Sequence, residues 1–299
     1  MRIIVLGSAA GGGFPQWNCL CPVCRLAWSG DRRVSPRTQS SLAVSGDGEN
    51  WLLLNASPDL RQQIIATSQL HPHGKGRQSP IAAVFLTNGD VDHISGLLAL
   101  REQQSFRVFG SSATLAEVTE NSIFGVLNRE LVHLKQIVPE SRVEVLPGIA
   151  VTPFSVPGKV PLYREGADVE IGAEGEETLG LEVSDATKTF FYIPGCAKVT
   201  SGLRQRLRGA ELLFFDGTTF TDDEMLRLGL STKTAWRMGH TAMSGENGSM
   251  QRLDDLGIGR KIYVHINNTN PVLIENSPER AKAEAAGWEI AFDGMEVRL

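Results

Sequence analysis

Asp92 and His93 lie in a polar loop, Thr87-Asn88-Gly89-Asp90-Val91-Asp92-His93-Ile94-Ser95-Gly96, that follows the apolar run Ile81 to Leu86 and precedes Leu97, Leu98 and Leu100. A carboxylate beside an imidazole at the polar end of an apolar strand offers oxygen and nitrogen donors suited to a divalent cation. Taken alone, the pair reads equally well as a helix cap with a polar neighbour, since Asp is common at helix starts. Two further histidines shift the balance: His240 in Met238-Gly239-His240-Thr241, and His265, which ends Lys261 to Val264 before Ile266-Asn267-Asn268. A single histidine at a strand end is as readily a hydrogen-bonded structural residue as a ligand. Combined with Asp92-His93 from another strand end, metal ligation becomes the better account.

A second metal signature lies near the N-terminus, where three of the four cysteines fall within six residues as Cys19-x-Cys21-x-x-Cys24, with Cys196 far away. Closely spaced sulfurs converge readily on a small soft cation, and tetrahedral zinc is the expected occupant. Three buried, reduced thiols without a metal are the competing reading. Three sulfurs do not close a tetrahedral site, and Asn268 is the candidate fourth ligand, because the strand-end loop after His265 can reach the cysteine loop. A thiolate-rich closed site leaves no position for substrate, so this zinc is expected to be structural and remote from the chemistry.

The elements that must position these residues alternate between short apolar runs and helical stretches. Strands are predicted over Arg2 to Gly7, Ser41 to Val44, Trp51 to Asn55, Ile81 to Thr87, Phe106 to Phe109, Val143 to Leu146, Val151 to Phe154, Leu179 to Val183, Thr189 to Ile193, Leu212 to Phe215, Lys261 to His265 and Trp288 to Ala291. Helices are predicted over Leu60 to Thr67, His93 to Leu100, Ala113 to Asn121, Thr200 to Leu207, Asn247 to Leu256 and Pro278 to Ala286. Several strands end on polar residues, namely Asn55, Thr87, Asp216 and His265, as expected where a sheet presents its loop edge to a ligand. Gln69 to Ser79 and Tyr163 to Glu177 are rich in glycine and charge and read as surface loops within one domain spanning 1–299; the second is placed to cover a cleft.

With 299 residues, 41% of them hydrophobic, and a mean hydropathy of -0.10, the chain has the composition of an ordinary globular α/β protein. Its net charge of -5 and the shortness of its basic clusters, of which Arg32-Arg33 with Arg37 is the longest, argue against nucleic acid as a partner. No apolar run is long enough for a membrane segment and no leader precedes Arg2 to Leu6, so a cytoplasmic location is expected. His71 and His73 flank Pro72 in a polar loop and read as solvated; His133 reads as part of a helical stretch. Gly11-Gly12-Gly13 lacks the dinucleotide-binding spacing and reads as a turn leading to the cysteines.

Taken together, Gly7 to Cys19 with its cysteine cluster, Asn55-Ala56-Ser57-Pro58-Asp59-Leu60, the Asp92-His93 loop, Gly239-His240-Thr241, His265-Ile266-Asn267-Asn268-Thr269-Asn270-Pro271 and Phe292-Asp293-Gly294-Met295-Glu296 closely resemble the pyrroloquinoline quinone (PQQ) biosynthesis protein B family, within the metallo-β-lactamase superfamily. The resemblance implies an αββα four-layer sandwich with the ligands at one sheet edge. Measured against the superfamily signature His-x-His-x-Asp-His-x-x-Gly, Asn88 and Asp90 replace the two leading histidines, Gly158 stands where a further histidine is expected, and Tyr192-Ile193-Pro194-Gly195-Cys196 lacks the bridging aspartate. Two-metal hydrolysis needs paired cations to generate and clamp a hydroxide, and most of one ligand set is missing.

The resemblance leaves Asp92, His93 and His265 as one carboxylate and two imidazoles, the facial triad of non-haem Fe(II) oxygenases, which keeps positions open for substrate and dioxygen. The same triad also suits zinc. His240, Asp90 and Asp216 are then outer ligands, substrate contacts or proton carriers. The implied activity is an Fe2+- and O2-dependent hydroxylation of the tyrosine ring in a cross-linked Glu-Tyr precursor of PQQ, with the small-molecule precursor as the partner and other PQQ biosynthesis proteins beside it. Lys159 and Arg164 are candidate contacts for the precursor's carboxylates. A carrier that moves PQQ or its precursor towards the periplasm and a metal-dependent hydrolase stand as alternatives.

Overall fold

In β1 (Arg2–Gly7), Ile3 and Val5 point to one side and Ile4 and Leu6 to the other, and all four are buried. A strand covered on both faces reads as an unbroken apolar run, which is why this segment shows no polar alternation. The computed structural model, which describes residues 1–299, repeats that pattern through two seven-stranded sheets. The first contains β1, β2 (Ser41–Ser45), β3 (Trp51–Leu54), β4 (Ile81–Phe85), β5 (Phe106–Gly110) and β6 (Val132–Gln136), with β3 to β6 parallel. The second contains β7 (Val143–Leu146), β8 (Ile149–Gly158), β9 (Ala173–Ser184), β10 (Thr189–Ile193), β11 (Leu212–Asp216), β12 (Arg260–Val264) and β13 (Trp288–Ile290), with β10 to β13 parallel. The last strand, β14 (Glu296–Arg298), returns to the first sheet and pairs antiparallel with β1.

Between the sheets Val5, Leu54 and Phe85 meet Leu181, Phe190 and Phe214. Truncating a fully buried aromatic such as Phe214 to alanine removes roughly 3–5 kcal/mol of stability. The outer face of the first sheet is covered through Leu60, Ile94 and Leu115; that of the second through Val23, Leu203, Met250 and Ala283. These belong to helices on opposite sides, so the layers run helix, sheet, sheet, helix, the metallo-β-lactamase αββα sandwich.

Four local expectations change. Around His133 the chain is the edge strand β6: Val132 is buried while His133 and Lys135 are exposed, a period of two that belongs to a strand and leaves polar residues on a sheet edge. Over His93 to Leu100 one α-helical turn, Val91–Ile94, passes into 3-10 turns at Ser95–Leu100. Gly96 sits where a Cβ would lie 2.1 Å from the Ser57 carbonyl oxygen, and its N–H donates to the Ala56 carbonyl, so the backbone is held tight there. The Tyr163 to Glu177 loop ends early, because β9 begins at Ala173. The helix predicted over Asn247 to Leu256 likewise divides into Ser249–Arg252 and a 3-10 turn at Asp254–Leu256.

The parallel strands aim their C-terminal ends at one edge, where Asn55 follows β3, Thr87 follows β4, Gly195 follows β10, Asp216 ends β11 and His265 follows β12. Three backbone links tie the sheets together at this edge: the Leu179 N–H donates to the Thr87 carbonyl, the Ala10 N–H to the Ile266 carbonyl and the Ile266 N–H to the Ser8 carbonyl.

Candidate metal centre and its cleft

The loop after β4 and the turn after β12 bring Asp92, His93 and His265 together. Asp92 Oδ2 lies 3.1 Å from His265 Nε2 and 3.8 Å from His93 Nε2, and one donor atom from each residue falls within 4.8 Å of the others. His265 has a φ of 55°, a left-handed conformation that a non-glycine residue keeps only when its surroundings enforce it. Enforcement comes from both sides: the Gly217 N–H donates to the preceding carbonyl, of Val264, at 2.8 Å, and the following N–H, of Ile266, donates to the Ser8 carbonyl at 2.9 Å.

Hydrogen bonds fix which ring nitrogen of each histidine faces the cleft. The Asn88 carboxamide oxygen, 2.7 Å from His93 Nδ1, can only accept, so Nδ1 carries the proton and Nε2 keeps its lone pair. Asp216 does the same for the other two through Thr218. Its Oδ2 accepts from His240 Nδ1 at 2.7 Å, and its Oδ1 takes the Thr218 hydroxyl proton at 2.7 Å, leaving that oxygen to accept from His265 Nδ1 at 3.0 Å. Such outer partners orient ligating imidazoles and raise their basicity.

The donor set fits a divalent transition ion. His93 Nε2 is buried without any hydrogen-bond partner, an arrangement that protein interiors otherwise avoid, and its lone pair points at Asp92 and His265. Burial lowers the His93 imidazole to about 4, so it is neutral and ready to ligate near pH 7. Burial raises the Asp92 carboxyl, but His93 and His265 more than offset that and hold it well below the usual carboxylate range. Burial lowers His265, yet its hydrogen bond to Asp92 raises it overall.

Asp216, His240 and His265 form a second cluster of possible donors. Here Asp216 is already saturated: Oδ2 accepts from the Cys196 N–H and His240, and Oδ1 from the Thr218 N–H and hydroxyl. Gly158 offers nothing, since a Cβ there would lie 2.1 Å from the Thr178 hydroxyl; Gly195 faces His240 with no side chain. Asp90 does line the cleft, and burial together with the neighbouring Asp92 pushes its carboxyl up to about 6.

Cys19, Cys21 and Cys24 gather around the Asn268 side chain, all four buried. Asn268 Nδ2 lies 3.2 Å from the sulfurs of Cys19 and Cys24, and its backbone carbonyl oxygen is 3.7 Å from those of Cys21 and Cys24. A half-turn of the carboxamide exchanges nitrogen for oxygen at the same cage. Hydrogen bonding from Cys21 holds the Cys24 thiol down, while Cys24 and burial push Cys21 up.

Asp92, His93 and His265 open into a cleft of about 310 Å³ whose walls include Lys159, Leu162, Glu165, Lys233 and Met238. The segment expected as a lid is pinned over it by the Tyr163 hydroxyl, which donates to the Gly89 carbonyl at 2.7 Å. Lys159 stands at the cleft as expected. Arg164 does not: it turns away to pair with Glu117 and Glu120, both at 2.8 Å, in a neighbouring depression. Thr218, Glu165, Lys233 and Arg237 were not singled out by sequence. Asp216-Gly217-Thr218 at a strand end is a readable cue for the first, whereas the other three come together only through tertiary folding.

A beta-lactamase superfamily domain model matches residues 50–266. Coenzyme PQQ synthesis protein B of Methylorubrum extorquens strain PA1 is 58% identical over 299 residues, covering 100% of both chains, and that of Rhizobium meliloti is 52% identical, covering 100% of this chain and 98% of its own. The solved structure of Zn2+-bound PqqB from Methylobacterium extorquens superimposes with a TM-score of 0.98 at 57% identity, covering 100% of each chain. A diphosphatase of the PhnP family, 19% identical with a TM-score of 0.70 over 100% of this chain and 97% of its own, shares the fold alone. A chain so matched from end to end belongs to the coenzyme PQQ synthesis protein B family of the beta-lactamase superfamily.

Proposed function

We propose that the chain is a non-haem iron hydroxylase that uses O2 to hydroxylate the tyrosine-derived ring of a cross-linked Glu-Tyr precursor of PQQ. A role in coenzyme PQQ synthesis is the role its relatives carry in their names. The observation that carries the finer reading is the intact set of Asp92, His93 and His265, with an orphaned His93 Nε2, beside a second cluster whose carboxylate is fully committed. One carboxylate and two imidazoles occupy one face of an ion and leave the cleft side open.

When bound there, Fe2+ supplies the redox chemistry that zinc lacks, and the protein supplies position, exclusion of water and proton traffic. One oxygen atom of O2 replaces a ring hydrogen as hydroxyl and the other leaves as water, with two electrons and two protons drawn from an external two-electron donor. His240, its Nδ1–H held by Asp216, presents Nε2 as a proton carrier, with Asp90 as a second such group at the cleft. Leu162 and Met238 give the ring an apolar wall, and the lid over residues 163–172 keeps bulk water out. Cys19, Cys21, Cys24 and Asn268 hold a separate structural Zn2+.

The test is metal analysis of anaerobically prepared protein followed by oxygen uptake with the cross-linked dipeptide. The reading requires one iron per triad and uptake that tracks hydroxylated product. Dipeptide binding without uptake would favour the carrier reading, and uptake-free cleavage of the dipeptide a hydrolase.

A further inference from the structure

Glu165, on the lid, is the partner of three cations at once. Its Oε1 lies 3.0 Å from Lys159 Nζ, and its Oε2 is 3.1 Å from both Lys233 Nζ and Arg237 Nη2. Its side chain is buried, only 8% exposed, although it belongs to a surface loop. The three cations come from different places, Lys159 from the end of β8, Lys233 from the turn before Ala235–Met238 and Arg237 from that helix, and their convergence is enforced. Gly239, at φ 91°, lets the Lys159 stem pass where a Cβ would press on Lys159 Cγ at 3.1 Å, and the Thr234 hydroxyl caps the helix that carries Arg237.

One carboxylate does not satisfy this cluster. Arg237 Nη1 is buried with no hydrogen-bond acceptor, although a guanidinium presents a fork suited to two carboxylate oxygens. Lys159, Glu165 and Lys233 line the same cleft as Asp92, His93 and His265, so a ligand held beside that triad would reach the cluster. Asp90 lines the same cleft, close enough to feel the charge of Lys159.

We infer that Lys159, Lys233 and Arg237 are a carboxylate clamp for the substrate, and that Glu165 occupies it as an internal stand-in which a substrate carboxylate displaces as the lid opens and recloses. This rests on the proposed function only for the choice of probe. Free protein is then held shut by the same contacts that recognise the ligand, and the fraction of chains with Glu165 out of the clamp sets the apparent affinity.

The experiment is calorimetric titration of the full chain, loaded with Zn2+ so that no turnover occurs, with the cross-linked Glu-Tyr dipeptide and with the same compound bearing carboxamides in place of carboxylates. Glu165→Gln should bind the dipeptide about fivefold tighter than wild type, because its competitor is gone. Lys233→Gln and Arg237→Gln together should bind it about tenfold or more weakly. The carboxamide compound should discriminate among none of them. Near-UV circular dichroism identifies folded variants, and Lys233→Gln alone, at a half-buried position, serves if the double variant does not fold. Unchanged or weaker dipeptide binding by Glu165→Gln, or equal shifts with the carboxamide, would overturn the clamp. Since no turnover is involved, a failure to hydroxylate leaves this outcome untouched, and a failed clamp beside normal hydroxylation leaves the enzymatic reading standing.

Discussion

His265 and Asn268 lie three residues apart on the turn after β12 and face different ligand clusters: His265 Nε2 is 3.1 Å from Asp92 Oδ2 in the cleft, and Asn268 Nδ2 is 3.2 Å from the sulfurs of Cys19 and Cys24. The same short segment is anchored at one end by the cysteine cage and presents a triad residue at the other. Order in the cage therefore constrains the left-handed His265.

Removing the cage should act on both sites. Cys21→Ser is expected to lose one zinc per chain and more than about 3 kcal/mol of stability, as for other losses of a structural metal. Zinc content by plasma emission and thermal unfolding check this; full zinc content with unchanged unfolding would contradict it.

Asn88 gives up the ligand role of the histidine it replaces and takes on the orientation of His93. Asn88→Leu removes the only carbonyl that fixes the His93 tautomer, and metal affinity at the triad should fall about 10–100-fold with the fold intact. Competition titration with Co2+ measures it, and an unaltered affinity would show that His93 is held by packing alone.

Thr218 relays Asp216 to His265. Thr218→Val keeps the shape and deletes the hydroxyl, so His265 Nδ1 loses its acceptor and Asp216 a donor. A loss of about 1–3 kcal/mol in stability is expected from the unmet buried groups, together with weaker metal binding. Thr218→Ser should restore both; a serine variant as impaired as valine would point to the methyl group instead.

Much of this was legible before folding. Arg2 to Gly7 and Thr189 to Ile193 match their strands because two-sided burial writes itself as an apolar run. Asp92, His93 and His265 stood out by residue type at strand ends, and the cysteines by their spacing. His133 misled because an edge strand with Val132 and Leu134 among polar residues is too short to declare its period. The helix Pro22–Trp28 was hidden by the cysteine spacing that it carries. Arg164 failed as a substrate contact because Glu117 and Glu120, distant in sequence, claim it, and the Glu165 cluster is equally non-local.

The lid contacts should loosen in acid. Burial raises the Glu165 carboxyl, but Arg237, Lys159 and Lys233 more than offset that and bring it from an ordinary 4.5 to about 2. A lowered folded value stabilises fully above the unfolded one, so the contribution is present above about pH 4.5 and is lost as pH falls towards about 2. Hydrogen exchange across residues 163–172 should accelerate over that window in wild type and show no such step in Glu165→Gln. Parallel profiles would rule out Glu165 as the latch.

The most direct test of the central claim is product formation by His93→Ala and His265→Ala proteins that are folded, retain zinc in the cysteine cage and are supplied with Fe2+, O2, a reductant and the cross-linked dipeptide. The account predicts that both lose hydroxylated product and the matching oxygen uptake by at least about 100-fold. Hydroxylation at the wild-type rate in either variant would contradict it.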